Sequence, residues 1–147
     1  MLQKLALQLE LSVVVARTRD GAVTTFPVAE NEHRGGILAV SIVPARIDEA
    51  TAQRARDAAI AIAASMKYVG VLCVEFFVLG DGSLVANEMA PRPHNSGHYS
   101  LDACDVSQFE LQARCLAGLP LVAPRQHSAA VMLNLLGDLW FGAGSDA

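Results

Sequence analysis

The sequence predicts an α+β fold in which an antiparallel sheet carries packed helices. Two glycine-marked turns between β-prone runs, Asp20-Gly21 and Gly80-Asp81-Gly82, predict hairpins on either side of one long alanine-rich segment, Asp48 to Lys67. At 147 residues and 52% apolar, the chain has material for one ordinary domain with a real core.

The elements follow in order. Leu11 to Thr18 is rich in valine and reads as a strand; after the tight Asp20-Gly21 turn, Ala22 to Val28 resumes an extended pattern. Gly35-Gly36 interrupts the chain before Ile37 to Val43, a third strand stopped by Pro44. From Asp48 to Lys67 alanine, arginine and glutamine dominate, and Ala59, Ile62, Ala63 and Met66 share one face at helical spacing. Val71 to Leu79 and Ser83 to Met89 form the second predicted hairpin. A turn-rich stretch runs from Ala90 to Ser100. Ser107 and Glu110 then have the spacing of a capping box that opens a helix to about Leu116, closed by Gly118 and Pro120. Ala129 to Leu136 reads as a last strand.

Composition excludes several classes. Lysine plus arginine number 11 against 15 acidic residues, with no basic block, so the electrostatic footprint of a nucleic-acid binder is missing. Cys73, Cys104 and Cys115 are odd in number and widely spaced, which gives neither a disulfide framework nor a paired-cysteine metal site and suits a reducing cytoplasm. They read as inert core residues. Neither Met1 to Leu9 nor Gly142 to Ala147 reads as a signal or membrane segment.

Both strands of the second hairpin carry a carboxylate where an apolar residue would be easier to bury. With a loop of two or four residues, Glu75 falls directly opposite Glu88, their Cβ atoms about 4.5–5.5 Å apart. Two such carboxylates repel unless they share a proton or bind a divalent cation. Magnesium is commonly held by one or two carboxylates plus substrate phosphates, so the second remedy implies phosphate chemistry. A solvated strand face is the competing reading, and a loop of odd length removes the argument. Asn87 points to the other face unless the strand is bulged there. The next segment, Pro91-Arg92-Pro93-His94-Asn95-Ser96-Gly97-His98, sets a guanidinium, two imidazoles, an amide and a hydroxyl on a restricted backbone. Such a loop suits a small oxyanion such as bicarbonate or carboxyphosphate, although turns also use these residues for purely conformational reasons. No nucleophile elbow or acidic orienter accompanies it, so acyl-enzyme chemistry is disfavoured.

Read together, Glu10-Leu11-Ser12-Val13, Asn31 to His33, Gly36-Ile37-Leu38, Val74-Glu75-Phe76-Phe77 and Asn87 through His98 resemble the N5-carboxyaminoimidazole ribonucleotide synthetase family of ATP-grasp enzymes. Ser107-Gln108-Phe109-Glu110 and Asn134-Leu135-Leu136-Gly137 continue the resemblance, which covers roughly residues 10 to 140. It implies the C-terminal subdomain of an ATP-grasp domain over residues 1–140, with 141–147 as a tail. It also implies use of ATP to activate bicarbonate as carboxyphosphate, followed by carboxylation of 5-aminoimidazole ribonucleotide in purine biosynthesis. Carried over by position, Glu75 and Glu88 would hold magnesium, with manganese as an alternative; Glu10, His33, Asn87 and Glu88 would contact ATP; Arg92, His94 and Asn95 would hold bicarbonate or carboxyphosphate. A homodimer is also in keeping with the family.

The sequence departs from the family in three places. The nucleotide-fold domain and the ATP-phosphate lysines that precede this region in the family have no counterpart. The adenine-hinge position carries Leu2-Gln3-Lys4-Leu5 instead of Glu-x-x-Val, and no basic motif follows Phe141. The expectation is therefore a fragment with little activity alone. The alternatives are another ATP-grasp ligase or carboxylase, such as the formate-dependent glycinamide ribonucleotide transformylase or a biotin carboxylase, or a non-catalytic metal- or nucleotide-binding remnant.

Overall fold

The computed structural model describes residues 6–140; the adenine-hinge position at 2–5 and the predicted tail at 141–147 lie outside the described residues. Seven antiparallel strands form one sheet: β1 (Leu7–Arg17), β2 (Val23–Thr25), β3 (Ala29–Arg34), β4 (Ile37–Val43), β5 (Gly70–Leu79), β6 (Leu84–Ala90) and β7 (Ala130–Leu133). Their order is β6-β5-β1-β3-β4-β7, with β2 pairing the end of β1. Three helices accompany them, α1 (Glu49–Ser65), α2 (Ser100–Ala103) and α3 (Gln108–Ala117).

The β-branched runs of β1 and β5 occupy the middle of the sheet, where both faces are covered. Alternate residues on these strands therefore serve two different layers. One face, formed by Leu11, Val13, Val15, Leu72, Val74, Phe76 and Val78, packs under α1. The helix presents Ala52, Ala55, Ala59 and Ala63 to it, small side chains that let the helix sit close to the strands. Asp48 caps α1, its carboxylate accepting the Thr51 N–H at 2.8 Å. The buried stripe departs from the expected one at Met66, which is the C-cap residue and half-exposed.

The opposite face is covered at one end by α3 and the segment leading to it. Val14, Ala16, Phe26, Ala29, Val43, Val71 and Cys73 pack there against Leu111 and Cys115 of α3 and against Tyr99, Ala103 and Val106. Ser107 caps α3 by accepting the Glu110 N–H at 3.1 Å, and Gly118 ends the helix in the left-handed region, φ 68°, where a Cβ would be strained.

Three sequence expectations need correction. The run from Ala22 to Val28 is a strand only over Val23–Thr25, because Pro27 has no N–H to continue the ladder; the next strand, β3, begins at Ala29. The last strand is shorter than expected, Ala130–Leu133; beyond it Asn134 turns both its main-chain and side-chain N–H onto the carbonyls of Ala39 and Leu38. Both hairpin loops have three residues, so the second is neither of the even lengths, two or four, on which the expected carboxylate pairing rests. Thr18 pairs with Ala22 and Leu79 with Ser83, and the third loop residue of each, Gly21 (φ 95°) and Gly82 (φ 78°), takes the left-handed conformation. Among the described residues no helix is long and apolar enough to cross a membrane.

Candidate functional site

The three-residue loop at 80–82 changes the register on which the carboxylate pair depends. Near the turn Val78 pairs with Leu84, Phe77 with Val85 and Phe76 with Ala86, a frame that on its own would set Glu75 against Asn87. The register then shifts between Glu75 and Phe76, and Glu75 pairs with Glu88 after all. Asn87 is the extra residue of this β-bulge, so Asn87 and Glu88 together oppose Glu75. The predicted pairing is correct although its premise, an even loop, is not, and the bulge supplies the condition under which Asn87 can join Glu88.

The pairings across the sheet define what surrounds these groups. Glu75 opposes Ser12 of β1 on its other side; Glu10 opposes Asn31 of β3, and Asn31 opposes Ser41 of β4. These polar residues lie on the face opposite α1, beyond the apolar patch under α3. Ser41 Oγ donates to Asn31 Oδ1 at 2.8 Å. Ser12 Oγ and Asn31 Nδ2 are buried without a protein hydrogen bond, each a cost of about 1–3 kcal/mol. His33 lies against Glu10, its Nδ1 close to Oε2 but not aligned as a hydrogen bond.

Glu75 is 9% exposed, whereas Glu88 is exposed on the edge strand. Burial pushes the Glu75 carboxyl above the usual range; nearby His33 opposes this, and Glu88 and Glu10 add to it. His94 Nε2 lies 3.8 Å from a Glu75 carboxylate oxygen. His94 itself is pushed below the ordinary imidazole value, first by burial and next by Arg92, so its ring is neutral at pH 7 and the contact with Glu75 is not a charged pair.

The orientation of that ring is fixed from behind. The Ser96 N–H donates to His94 Nδ1 at 3.4 Å, and Ser96 Oγ lies 2.9 Å from the same nitrogen. An accepting Nδ1 leaves the proton of the neutral ring on Nε2, the atom nearest Glu75. Ser96 Oγ is in turn 3.6 Å from Cys73 Sγ, whose thiol burial pushes up to about 12. A thiol that keeps its proton donates, which gives the chain Cys73 to Ser96 to His94. Sequence reasoning left Cys73 without a role; only the sheet brings it under Ser96, and the sole hint was the His-x-Ser spacing.

The structure thus brings together Glu10, His33, Glu75, Glu88 and His94, with Asn87 at the bulge. Arg92 is exposed, donating to the Pro93 carbonyl at 3.1 Å, and Asn95 opens the 3-10 turn Asn95–Gly97 in the same loop. Among the described residues no group of three or more His, Cys, Asp or Glu side chains is placed to hold a metal ion alone. The fit is to magnesium, which needs only one or two carboxylates when phosphate oxygens complete its shell. A desolvated carboxylate facing a second one supplies that donor set.

An antiparallel sheet backed on one side by a helix and bearing opposed carboxylates on its other face is the architecture of an ATP-grasp domain. Residues 3–109 match the model of that domain, and the chain belongs to the ATP-grasp family. Within it, the chain is similar to the N5-carboxyaminoimidazole ribonucleotide synthase of Brucella melitensis, 56% identical over 129 residues that make up 88% of this chain and 36% of the relative. The ADP complex of an N5-carboxyaminoimidazole ribonucleotide synthetase superposes with a TM-score of 0.89 at 46% identity, covering 92% of this chain and 36% of that one. The N5-carboxyaminoimidazole synthase of Aspergillus clavatus, in complex with ADP and 5-aminoimidazole ribonucleotide, gives 0.83 at 34% identity over 91% and 36%. The chain therefore spans about a third of the length of the relatives it matches, and the expected fold class and resemblance hold.

Proposed function

We propose that this chain carries the metal-binding and bicarbonate-activating part of an N5-carboxyaminoimidazole ribonucleotide synthetase. In this reaction bicarbonate oxygen attacks the γ-phosphorus of ATP, forming carboxyphosphate and releasing ADP. The exocyclic amine of 5-aminoimidazole ribonucleotide then takes the carboxyl group, and phosphate leaves. Glu75 and Glu88 hold magnesium, which when bound neutralises phosphate charge; manganese fits the same oxygen donors. Glu10, His33, Asn87 and Glu88 contact the nucleotide. His94, through its Nε2–H, and Arg92 and Asn95 beside it hold the anion. Their work is positioning and electrostatic stabilisation, with no covalent step on the protein.

The observation that carries this reading is the bulge at Asn87, which restores the Glu75–Glu88 pairing within reach of the neutral His94. A plain solvated hairpin has no need of a bulge there. The reading places the protein in the cytoplasm, where its three free cysteines remain reduced, and a homodimer is in keeping with it.

The test replaces the matching segment of the Brucella melitensis synthase with residues 7–133 of this chain and measures phosphate release from ATP. Release that requires both bicarbonate and 5-aminoimidazole ribonucleotide, and falls at least a hundredfold in Glu88→Gln, is expected. Turnover retained by Glu88→Gln, or turnover indifferent to the ribonucleotide, would overturn the assignment.

A further inference from the structure

Gln108 is fully buried, although glutamine is a residue type that usually faces water. Both ends of its amide are spent on one other residue: Oε1 accepts the His94 N–H at 2.9 Å, and Nε2 donates to the His94 carbonyl at 2.7 Å. A side chain here does what a neighbouring strand does in a ladder, satisfying both main-chain groups of a residue held in extended conformation, φ −123° and ψ 152°.

The clamp is anchored in turn. Gln108 is the first residue of α3, and its own N–H, one of the helix's unpaired donors, goes to Ser100 Oγ at 3.0 Å. Ser100 Oγ donates onward to the Gly97 carbonyl at 2.6 Å. Gly97 has no room for a side chain: a Cβ would stand 2.5 Å from Gln108 Oε1 and 3.0 Å from Val14 Cγ2. The 94–97 segment is thus pressed between the sheet and one amide. That amide's hydrogen bonds go to the His94 main chain, whereas the ring's Nδ1 is held by Ser96.

We propose that Gln108 is the positioning residue for His94: it fixes the main chain from which the imidazole projects toward Glu75, and Ser96 can then set the ring's tautomer. This deepens the functional reading above and rests on it for the meaning of His94, but not for the clamp itself. Displacements of about 1 Å at an anion-holding group cost on the order of a hundredfold in rate, which is reason for a buried amide to be devoted to one loop residue.

The experiment uses the 147-residue chain labelled with 15N. Hydrogen exchange at the His94 N–H is measured as a ratio to the Val74 N–H in the central strand, together with the 15N shifts of the His94 ring. Gln108→Met keeps length and bulk but removes both hydrogen bonds; Gln108→Leu removes them with a shorter apolar side chain. In both variants the exchange ratio is expected to rise at least tenfold, and the ring shifts to move from a single Nε2–H tautomer to an averaged pair. If Gln108→Met does not fold, the leucine variant decides. A folded variant that keeps the wild-type ratio and the single tautomer would overturn the proposal, because Gln108 would then only fill space. Neither readout uses ATP or bicarbonate, so failure of the clamp and failure of the proposed reaction are separate outcomes.

Discussion

The two faces of β5 make opposite uses of the same strand. Toward α1 it sends Leu72, Val74, Phe76 and Val78, which are met by alanines and leave no polar atom to satisfy. Toward the other side it sends Val71, Cys73 and Glu75, and within one strand step the environment passes from a packed apolar cluster to opposed carboxylates. The first face is where the fold gains its stability. The second carries a raised carboxyl, a depressed imidazole and three buried polar atoms without hydrogen-bond partners, beside the proposed ligands. Stability and chemistry are segregated by the alternation of a strand, not by domain.

The sharpest way to break this contrast is to cut the α1 face. Leu72 is fully buried, and Leu72→Ala is expected to lower stability by about 3 kcal/mol in urea titrations; a loss under about 1 kcal/mol would mean that the core lies elsewhere. On the other face, Gly97→Ala is expected to cost about 2 kcal/mol, since the new methyl group must displace Gln108 or Val14, and an unchanged midpoint would show the loop to be loose. Ser107→Ala removes the cap of α3 and is expected to cost about 1 kcal/mol by the same titration.

The smallest effect is a dependence on pH. His94 has its imidazole value depressed by burial, so its contribution is present above the unfolded value and lost as pH falls through the folded one. Glu75 has the opposite sign: its value is raised, and its ionisation costs stability as pH rises above the ordinary carboxylate range. His94→Gln is therefore expected to flatten the loss of stability as pH falls below the ordinary imidazole range, measured as melting temperature against pH. A steeper acid limb in the variant would reverse the sign and contradict the burial of His94.

Much of this was legible in the residues. The period of α1 and the Ser107 capping signal are local features, and they marked α1 and α3; the short α2 was not predicted. The carboxylate pair was legible because cross-strand pairing is simple arithmetic, yet its premise failed: Gly80-Asp81-Gly82 closes as a three-residue turn, and the compensating bulge at Asn87 has no sequence mark of its own. The covered stripe of α1 was legible through Ala59, Ile62 and Ala63 but not at Met66, which falls at the C-cap where the helix has ended. Cys73 and Gln108 were missed for a different reason. Their partners Ser96 and His94 are distant in sequence, and no periodicity reports a contact made across a sheet face or from a helix N-terminus.

The most direct test of the account is Glu75→Gln, studied in one sample for stability by urea titration and for manganese binding by electron paramagnetic resonance in the presence of ADP. The account predicts a chain more stable by about 1 kcal/mol, because a desolvated carboxylate facing Glu88 has been removed, together with loss of at least tenfold in manganese affinity. A less stable variant that binds manganese as tightly as the parent would contradict it, since Glu75 would then be a structural residue and its pairing with Glu88 incidental.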